Sequence, residues 1–538
     1  MQRDPARLTA RTFDLLVVGG GVSGLTIACD AAQRGLSVAL IERDDFGSGV
    51  SFNHLRTIHG GLRYLQHLDA SRARASMRER RALARIAPFA LRVQPFVLPL
   101  TRSITHGRLA MRAGFLLDSL VAAGRNEGVP SALAIRGGRI VSREEAIERY
   151  PGLRRQGLTG AAIWSEYTTT EADRLTLTWA LAAHRHGAVL SNHVEALEVL
   201  GNGDRVEGVR ARDRISGQEL EVAASLTINA AGSARSRLAP GKNLPPLIRA
   251  LNLVTNREAG EEALGAPTSS GRHLFMVPWR GRALFGTWES QGFCSSADAD
   301  PSSDEVQRFI VELNQAFPSL DLTRDDVTLV HRGLVPGVER SGGVMLDGED
   351  HVIDHALEST SVAGLLTVAL TKYTTGRALA ERAVDLAFVK LGKAVEACRT
   401  AITPLPGGDL GDQALAIASA RRQYEPVLPG QSIPHLIAAY GSRYTEIADL
   451  AGRREEWRAL LSASSPVIGA QLVHAVRHEM AVSLADAVIR RTPLGALGCP
   501  DDAALERAAS IMAGECQWNE DQCRQEIAEV RRFYAAAD

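Results

Sequence analysis

The chain has 538 residues, is 45% hydrophobic and carries a formal net charge of -1. That length gives room for two or three domains, and the balanced charge excludes a global pull toward nucleic acid. No run of 18 apolar residues occurs, the opening MQRDPARLTARTFD has no apolar signal core, and six cysteines without a CxxC pair match no zinc spacing, so the reading is a cytoplasmic protein with reduced thiols and no metal.

Phe13 to Val18 is a short continuous apolar run, the pattern of a buried parallel strand. Gly19, Gly21 and Gly24 then fill GxGxxG, Leu25 to Arg34 has helical spacing closed by Gly35, and Ser37 to Ile41 is a second buried strand ending at Glu42. The spacing assigns a tight turn to Gly19, close approach to a pyrophosphate to Gly21, and helix–strand packing to Gly24. The helix N-terminus offers its free N–H groups to the phosphates, and Glu42 is placed to accept from an adenosine ribose hydroxyl. The motif opens a long chain and has no second copy, which favours one tightly held FAD over NAD(P).

After Glu42 comes DDFGSGVSFNHLRTIHGGLRYLQ, rich in glycine, imidazole and guanidinium groups. The block TIHGGLRYLQ within it resembles the FAD-dependent (aerobic) glycerol-3-phosphate dehydrogenases. The resemblance implies that Ser51, His59, Gly60 and Gly61 contact the cofactor, the glycine pair letting backbone lie against a flavin ring, and that Arg63 and Tyr64, at the following helix start, enter the substrate pocket. From His193 to Gly232 the pattern reads as three strands with turns at Asn202-Gly203 and Ser216-Gly217, followed by a buried parallel strand ending in Ala-Ala-Gly. Val194 and Gly232 bracket it as further cofactor contacts.

Stretches near 245–345, among them DDVTLVHRGLVPG, read as strands of a substrate sheet. GLLTVALTKYTTGRALAERAVDLAF then reads as strand, polar turn and helix. The helix start at Thr374 and Thr375 would direct its positive end toward a flavin. Lys372, one of only four lysines in an Arg-rich chain, is a candidate for both flavin and substrate. ITPLPGGDLGDQ is a linker, and the remainder has helical spacing. His474, Arg477, His478 and Glu479 in it are expected to pair structurally.

The blocks TIHGGLRYLQ, EADRL, INAAG, LTKYTTGRALAE and VRHEMAVSLADAVIRRTPLG together resemble the FAD-dependent (aerobic) glycerol-3-phosphate dehydrogenases. The resemblance implies an α/β, two-dinucleotide-fold flavoprotein with a mixed-sheet substrate domain (segments about 90–160 and 245–345 within residues 1–405) and a C-terminal helical domain (406–538). It implies hydride transfer from a small hydroxylated substrate to flavin N5, and reoxidation by a membrane quinone through peripheral contact with the inner face of the cell membrane. An amine or amino-acid oxidase, or a non-catalytic flavin-binding subunit, is the alternative. The oligomeric state stays open, a homodimer included. Three departures stand out: Val335 and Glu349 occupy positions where the family has arginine, and Asn252 stands near the family's substrate-binding histidine. Two cations and a histidine are thus replaced, which points toward a relative of glycerol 3-phosphate. His331, Arg332 and His351 are the nearby acid/base candidates, with Arg332 a substitute cation.

Overall fold

The computed structural model describes residues 1–535 except 63, 65–68, 103–106, 122–123, 151–154, 240–242, 269–271, 298–299, 341 and 358–360. Strand β1 (Phe13–Val18) leads through the glycine turn into helix α1 (Val22–Gln33) and strand β2 (Val38–Ile41). The helix starts three residues earlier than its apolar spacing suggests, because Gly21 already serves as its extended N-cap.

Around β1 lies a sheet ordered His351–Asp354, Leu365–Ala369, Glu219–Asn229, β1, β2, Val189–Ser191. All neighbours are parallel except the first pair. Its central strands are buried on both faces, with helices on one side and the meander strands packed on the other, so β1 and β2 read as unbroken apolar runs. The meander expected from His193 onward is present, with one correction. The third meander strand and the buried parallel strand are a single strand, Glu219–Asn229, whose first half pairs with Val206–Asp213 and whose second half enters the sheet beside β1. The mid-strand residues Ala223 and Ala224 carry no turn signal, so the chain does not break there.

A second, mixed sheet is ten-stranded among the described residues. Its order is Gly343–Leu346, Val327–Arg340, Leu247–Glu258, Arg282–Glu289, His273–Trp279, Ala263–Pro267, Leu91–Thr101, Leu158–Thr169, Thr57–Ile58, with Arg139–Val141 also on Leu158–Thr169. Thr57–Ile58 places the Gly60-Gly61 segment at this sheet's edge, so one short stretch joins both sheets. From Gln413–Tyr424 to Glu520–Ala535 the chain is helical. Its core accepts one outside residue, Phe52, from the loop after β2. The fold is thus a mixed α/β fold with a C-terminal helical domain.

Candidate active site

The glycine turn is shaped by backbone contact. Gly19 has φ +111°, and a Cβ on it would stand 2.5 Å from the carbonyl oxygen of Ala230; a Cβ on Gly24 would overlap the carbonyl oxygen of Gly19. Gly21 keeps the N-terminus of α1 open, and a Cβ there would stand 3.1 Å from Ser51 Oγ. Ser51 Oγ accepts the N–H of Val22 at 2.9 Å, so the serine sits at the helix start where phosphate oxygens would bind. The Glu42 carboxylate accepts from the N–H groups of Gly20 (2.6 Å) and Asp44 (2.8 Å), and its carbonyl accepts from Val194 (2.7 Å). Burial pushes its carboxyl upward against those two donors. Helix Gly376–Lys390 begins against α1: Thr26 Oγ1 lies 3.4 Å from the Gly376 carbonyl oxygen, and the turn Tyr373–Thr375 before it holds buried Thr374 and Thr375. Gly232, at φ +55°, opens the turn after the strand beside β1.

These features fit FAD. Two helix N-termini converge, a carboxylate stands where a ribose hydroxyl would bond, and Gly19 and Gly24 leave no room for a side chain. Gly19, Gly21, Gly24, Glu42, Ser51, Val194 and Gly232 would hold the dinucleotide, and Thr374 and Thr375 would face the flavin.

Gly60 and Gly61 are closely packed. A Cβ on Gly60 would collide with the Arg80 guanidinium, and one on Gly61, at φ +82°, with the Tyr64 ring at 2.8 Å. Gly60 N–H donates to Glu166 at 2.7 Å, and Glu166 pairs with Arg80, both buried. Gly60 therefore packs the loop onto a buried ion pair, and Gly61 packs it against Tyr64 and Ser76. His59 lies 6.4 Å, ring to ring, from Tyr64.

At the other end of this loop Lys372 Nζ lies 4.5 Å above the Tyr64 ring and donates to the Gly348 carbonyl at 2.8 Å. Arg63 lies outside the described residues. Glu349 is not a bare charge: Arg72 Nη2 meets its Oε1 at 2.5 Å. His351 bonds Asp347 at 2.7 Å and Arg332 bonds Asp300 at 2.5 Å. Tyr64, Arg72, Glu349 and Lys372 form one cluster. Arg72 went unnoticed because its distance from the glycine pair fits no motif.

The strand Val327–Arg340 separates the two expected acid/base residues. Gly333 packs against Val50 and His331 against Phe52 (5.7 Å), so that face looks toward the loop after β2. Arg332 points the other way, to Asp300 at 2.5 Å, with Phe533 beneath its guanidinium at 5.6 Å. Side chains alternate along a strand, so His331 and Arg332 cannot share a pocket, and Arg332 is not the substitute cation. His331 is fully buried, pairs in register with Asn252, and neither ring nitrogen has a hydrogen-bond partner among the described residues. Burial, with Arg56 nearby, drives its pKa well below 6.5. His54 stacks on Tyr373 at 5.0 Å, and burial beside Arg56 lowers it to about 3. Arg56, at φ +63°, lies over Trp279 at 4.3 Å and pairs with Asp173 at 3.1 Å.

The late motif is structural, as expected. Glu479 takes Arg174 of the EADRL block in a buried two-pronged pair (2.5 and 2.8 Å), and Arg477 pairs with Glu515 at 2.6 Å. Asp45, His193 and Asp486 bring ligand atoms together, but Arg490 and Arg491 already answer both carboxylates at 2.6–2.7 Å.

A family model for FAD-dependent oxidoreductases matches residues 14–382, and one for the C-terminal domain of α-glycerophosphate oxidase matches 398–523. The chain is 30% identical to a glycerol-3-phosphate dehydrogenase of Synechocystis, covering 97% of this chain and 96% of that one. It is 31% identical to the mitochondrial glycerol-3-phosphate dehydrogenase of Mus musculus, covering 97% and 73%. Its fold matches the X-ray structure of the glycerol-3-phosphate dehydrogenase from Bacillus halodurans complexed with FAD, with a TM-score of 0.76 and 25% identity over 99% of this chain and 96% of that one. With the dinucleotide cradle, both sheets and the helical domain all accounted for, the chain belongs to the FAD-dependent glycerol-3-phosphate dehydrogenase family and is an FAD-dependent oxidoreductase.

Proposed function

We propose that the protein oxidises the secondary carbinol of glycerol 3-phosphate to the ketone. The observation that carries this reading is the cluster of Lys372, Arg72 and Tyr64 beside the turn that leads into helix Gly376–Lys390. FAD, when bound, supplies the hydride acceptor. Lys372 and Arg72 take the phosphate through charge-assisted contacts, worth about 1.5–3 kcal/mol each. Because Arg72 is paired with Glu349, the acid that replaces a family arginine does not stand unopposed against a phosphate. Tyr64 supports the Lys372 ammonium from below. His331, neutral and with both ring nitrogens open, accepts the hydroxyl proton as the C–H bond gives up its hydride. Asn252, which stands near the position of the family's substrate-binding histidine, is the register partner of His331.

The test is anaerobic mixing of the yellow holoenzyme with glycerol 3-phosphate, read by loss of flavin absorbance. Bleaching by this compound and not by glycerol or amino acids is expected. An unchanged spectrum with glycerol 3-phosphate and bleaching by an amino acid would replace the reading with an amino-acid oxidase.

For the electron acceptor we infer a quinone reached at a membrane surface. Helix Arg108–Val121 supports this. It leaves Leu109 80% and Leu116 65% exposed on the face that also carries exposed Arg112, a combination suited to the interface of an anionic bilayer. No helix among the described residues is long and apolar enough to cross a membrane.

A further inference from the structure

The loop that carries Glu42 is anchored from a distant part of the chain. Three residues beyond Glu42, Asp45 is fully buried. Its Oδ2 accepts from Arg491 Nη1 (2.6 Å) and Arg490 Nε (2.7 Å), and its Oδ1 from Arg491 Nη2 (2.7 Å) and Asn192 Nδ2 (2.9 Å). Both arginines belong to the short π-helical turn Asp486–Arg491 of the C-terminal domain. Arg490 also holds Asp486 at 2.7 Å, and Asp486 meets His193 Nε2 at 3.0 Å. His193 in turn donates its backbone N–H to the Asp44 carbonyl at 2.7 Å, and the next N–H, of Val194, goes to Glu42. Two carboxylates and two guanidiniums balance; the contacts of Arg490 and Arg491 with Asp45, and of Asp486 with His193, join the C-terminal domain to segments 42–45 and 192–194, which are bonded to each other.

We infer that the C-terminal helical domain positions the adenosine end of the FAD site, with Asp45, Arg490 and Arg491 as positioning residues for Glu42. A buried carboxylate without its cations is costly, several kcal/mol for an ion. If the turn Asp486–Arg491 lifts away, Asp45 must reach water, and the backbone from Glu42 to Asp45 moves with it. The Glu42 carboxylate then leaves the N–H groups of Gly20 and Asp44. Cofactor affinity and domain docking are therefore linked, and the linkage is reciprocal: bound FAD must favour the docked domain by the same factor.

The inference stands independently of the substrate and is tested on the holoenzyme by FAD release, followed as rising flavin fluorescence. The double variant Asp45→Asn/Arg491→Gln, which leaves no bare charge, is expected to release FAD about tenfold faster or more, within the usual range of such couplings. Arg491→Lys, which keeps the charge and loses the two-pronged contact, is expected to fall between it and wild type. The control is Arg174→Met/Glu479→Gln, which removes the other buried interdomain pair without touching segment 42–45. It is expected to lower the unfolding temperature while leaving FAD release within about threefold of wild type. Hydrogen exchange in residues 484–492 is expected to slow when FAD is present. Wild-type release from the Asp45/Arg491 variants would overturn the proposal. So would release rates that follow unfolding temperature alike in both variant series, or exchange in 484–492 that ignores FAD.

Discussion

At the scale of single residues, the decisive pair is Arg72 and Glu349. An unpaired carboxylate about 4 Å from an anionic group repels it by roughly 4 kcal/mol per unit charge at an effective dielectric of 20. With Arg72 at 2.5 Å that repulsion is largely answered, and because both side chains are partly exposed, solvent and salt weaken what remains. Glu349→Gln is therefore expected to lower the KM for glycerol 3-phosphate several-fold with little change in kcat, because it releases Arg72 for the phosphate. Arg72→Ala is expected to raise KM about tenfold or more by removing a cation and baring an acid. Steady-state kinetics at two salt concentrations measures both, and the differences should shrink at high salt. His331 makes a separate prediction. Its folded pKa lies well below 6.5, so it stays the neutral base as pH falls from 7.5 through 6.5. Flavin reduction in stopped flow should show no loss over that interval from protonation of this group. His331→Gln should slow reduction about a hundredfold while the flavin content is retained.

At the scale of elements, helix Arg108–Val121 turns one apolar face inward and exposes leucines on another. Met111 and Phe115 are buried, whereas Leu109 and Leu116, seven residues apart and so on one stripe, face solvent. Burying a leucine side chain contributes about 1.5–3 kcal/mol, so losing two from a bilayer contact costs more than a tenfold change in partitioning. Leu109→Glu/Leu116→Glu is expected to abolish co-sedimentation with anionic vesicles while anaerobic flavin bleaching by substrate stays intact. Retained vesicle binding would move the contact surface elsewhere. The strand Glu219–Asn229 illustrates a different economy: one element serves first as a meander strand and then as a central parallel strand, carrying the chain directly to Ala230 beside the glycine turn.

For the whole molecule, buried ion pairs bridge the C-terminal domain and the rest of the chain. Arg174 and Glu479 are both buried, and Arg174 lies 4.0 Å from the Tyr440 ring centroid. Burial tends to raise the Glu479 carboxyl, but Arg174 and His474 outweigh it and hold it at about 2. A carboxyl depressed in the folded state contributes stability above its unfolded value near 4.5, and that contribution fades as pH falls toward 2. Single replacement Arg174→Met strands this charge and is expected to cost about 3–5 kcal/mol in unfolding free energy, whereas the double variant with Glu479→Gln recovers much of it. His193 behaves with the opposite sign. Burial lowers it, but Asp486 and Asp45, working against Arg490, raise it above 6.5. Its contribution is complete below 6.5 and is lost as pH climbs through the raised value. Calorimetry across pH should show an unfolding temperature that declines on the neutral-to-alkaline side, and His193→Asn should flatten that limb.

Local chemistry was enough to read the β1–α1–β2 unit, Glu42, the FAD cofactor and the mixed-sheet and helical regions. Each rests on residues within a few turns of one another: an apolar run, a glycine spacing, a periodicity of two or 3.6. The placement of Lys372 next to the helix start was legible for the same reason. What tertiary structure alone decided involves partners that share no local pattern. Arg491 and Asp45 are 446 positions apart, and Arg174 and Glu479 are 305 apart. Opposite charges at such separation leave no periodic trace, so RHEM and EADRL could be seen as motifs but not as each other's counterparts. The direction of a side chain is similarly hidden. His331 and Arg332 look equivalent in sequence, and only the pairing register with Asn252 and Leu251 turns one toward the flavin loop and the other toward Asp300. Glu349 appeared as a bare acid because its cation, Arg72, arrives from a different helix, and the charge of a pocket is the sum over every element that lines it.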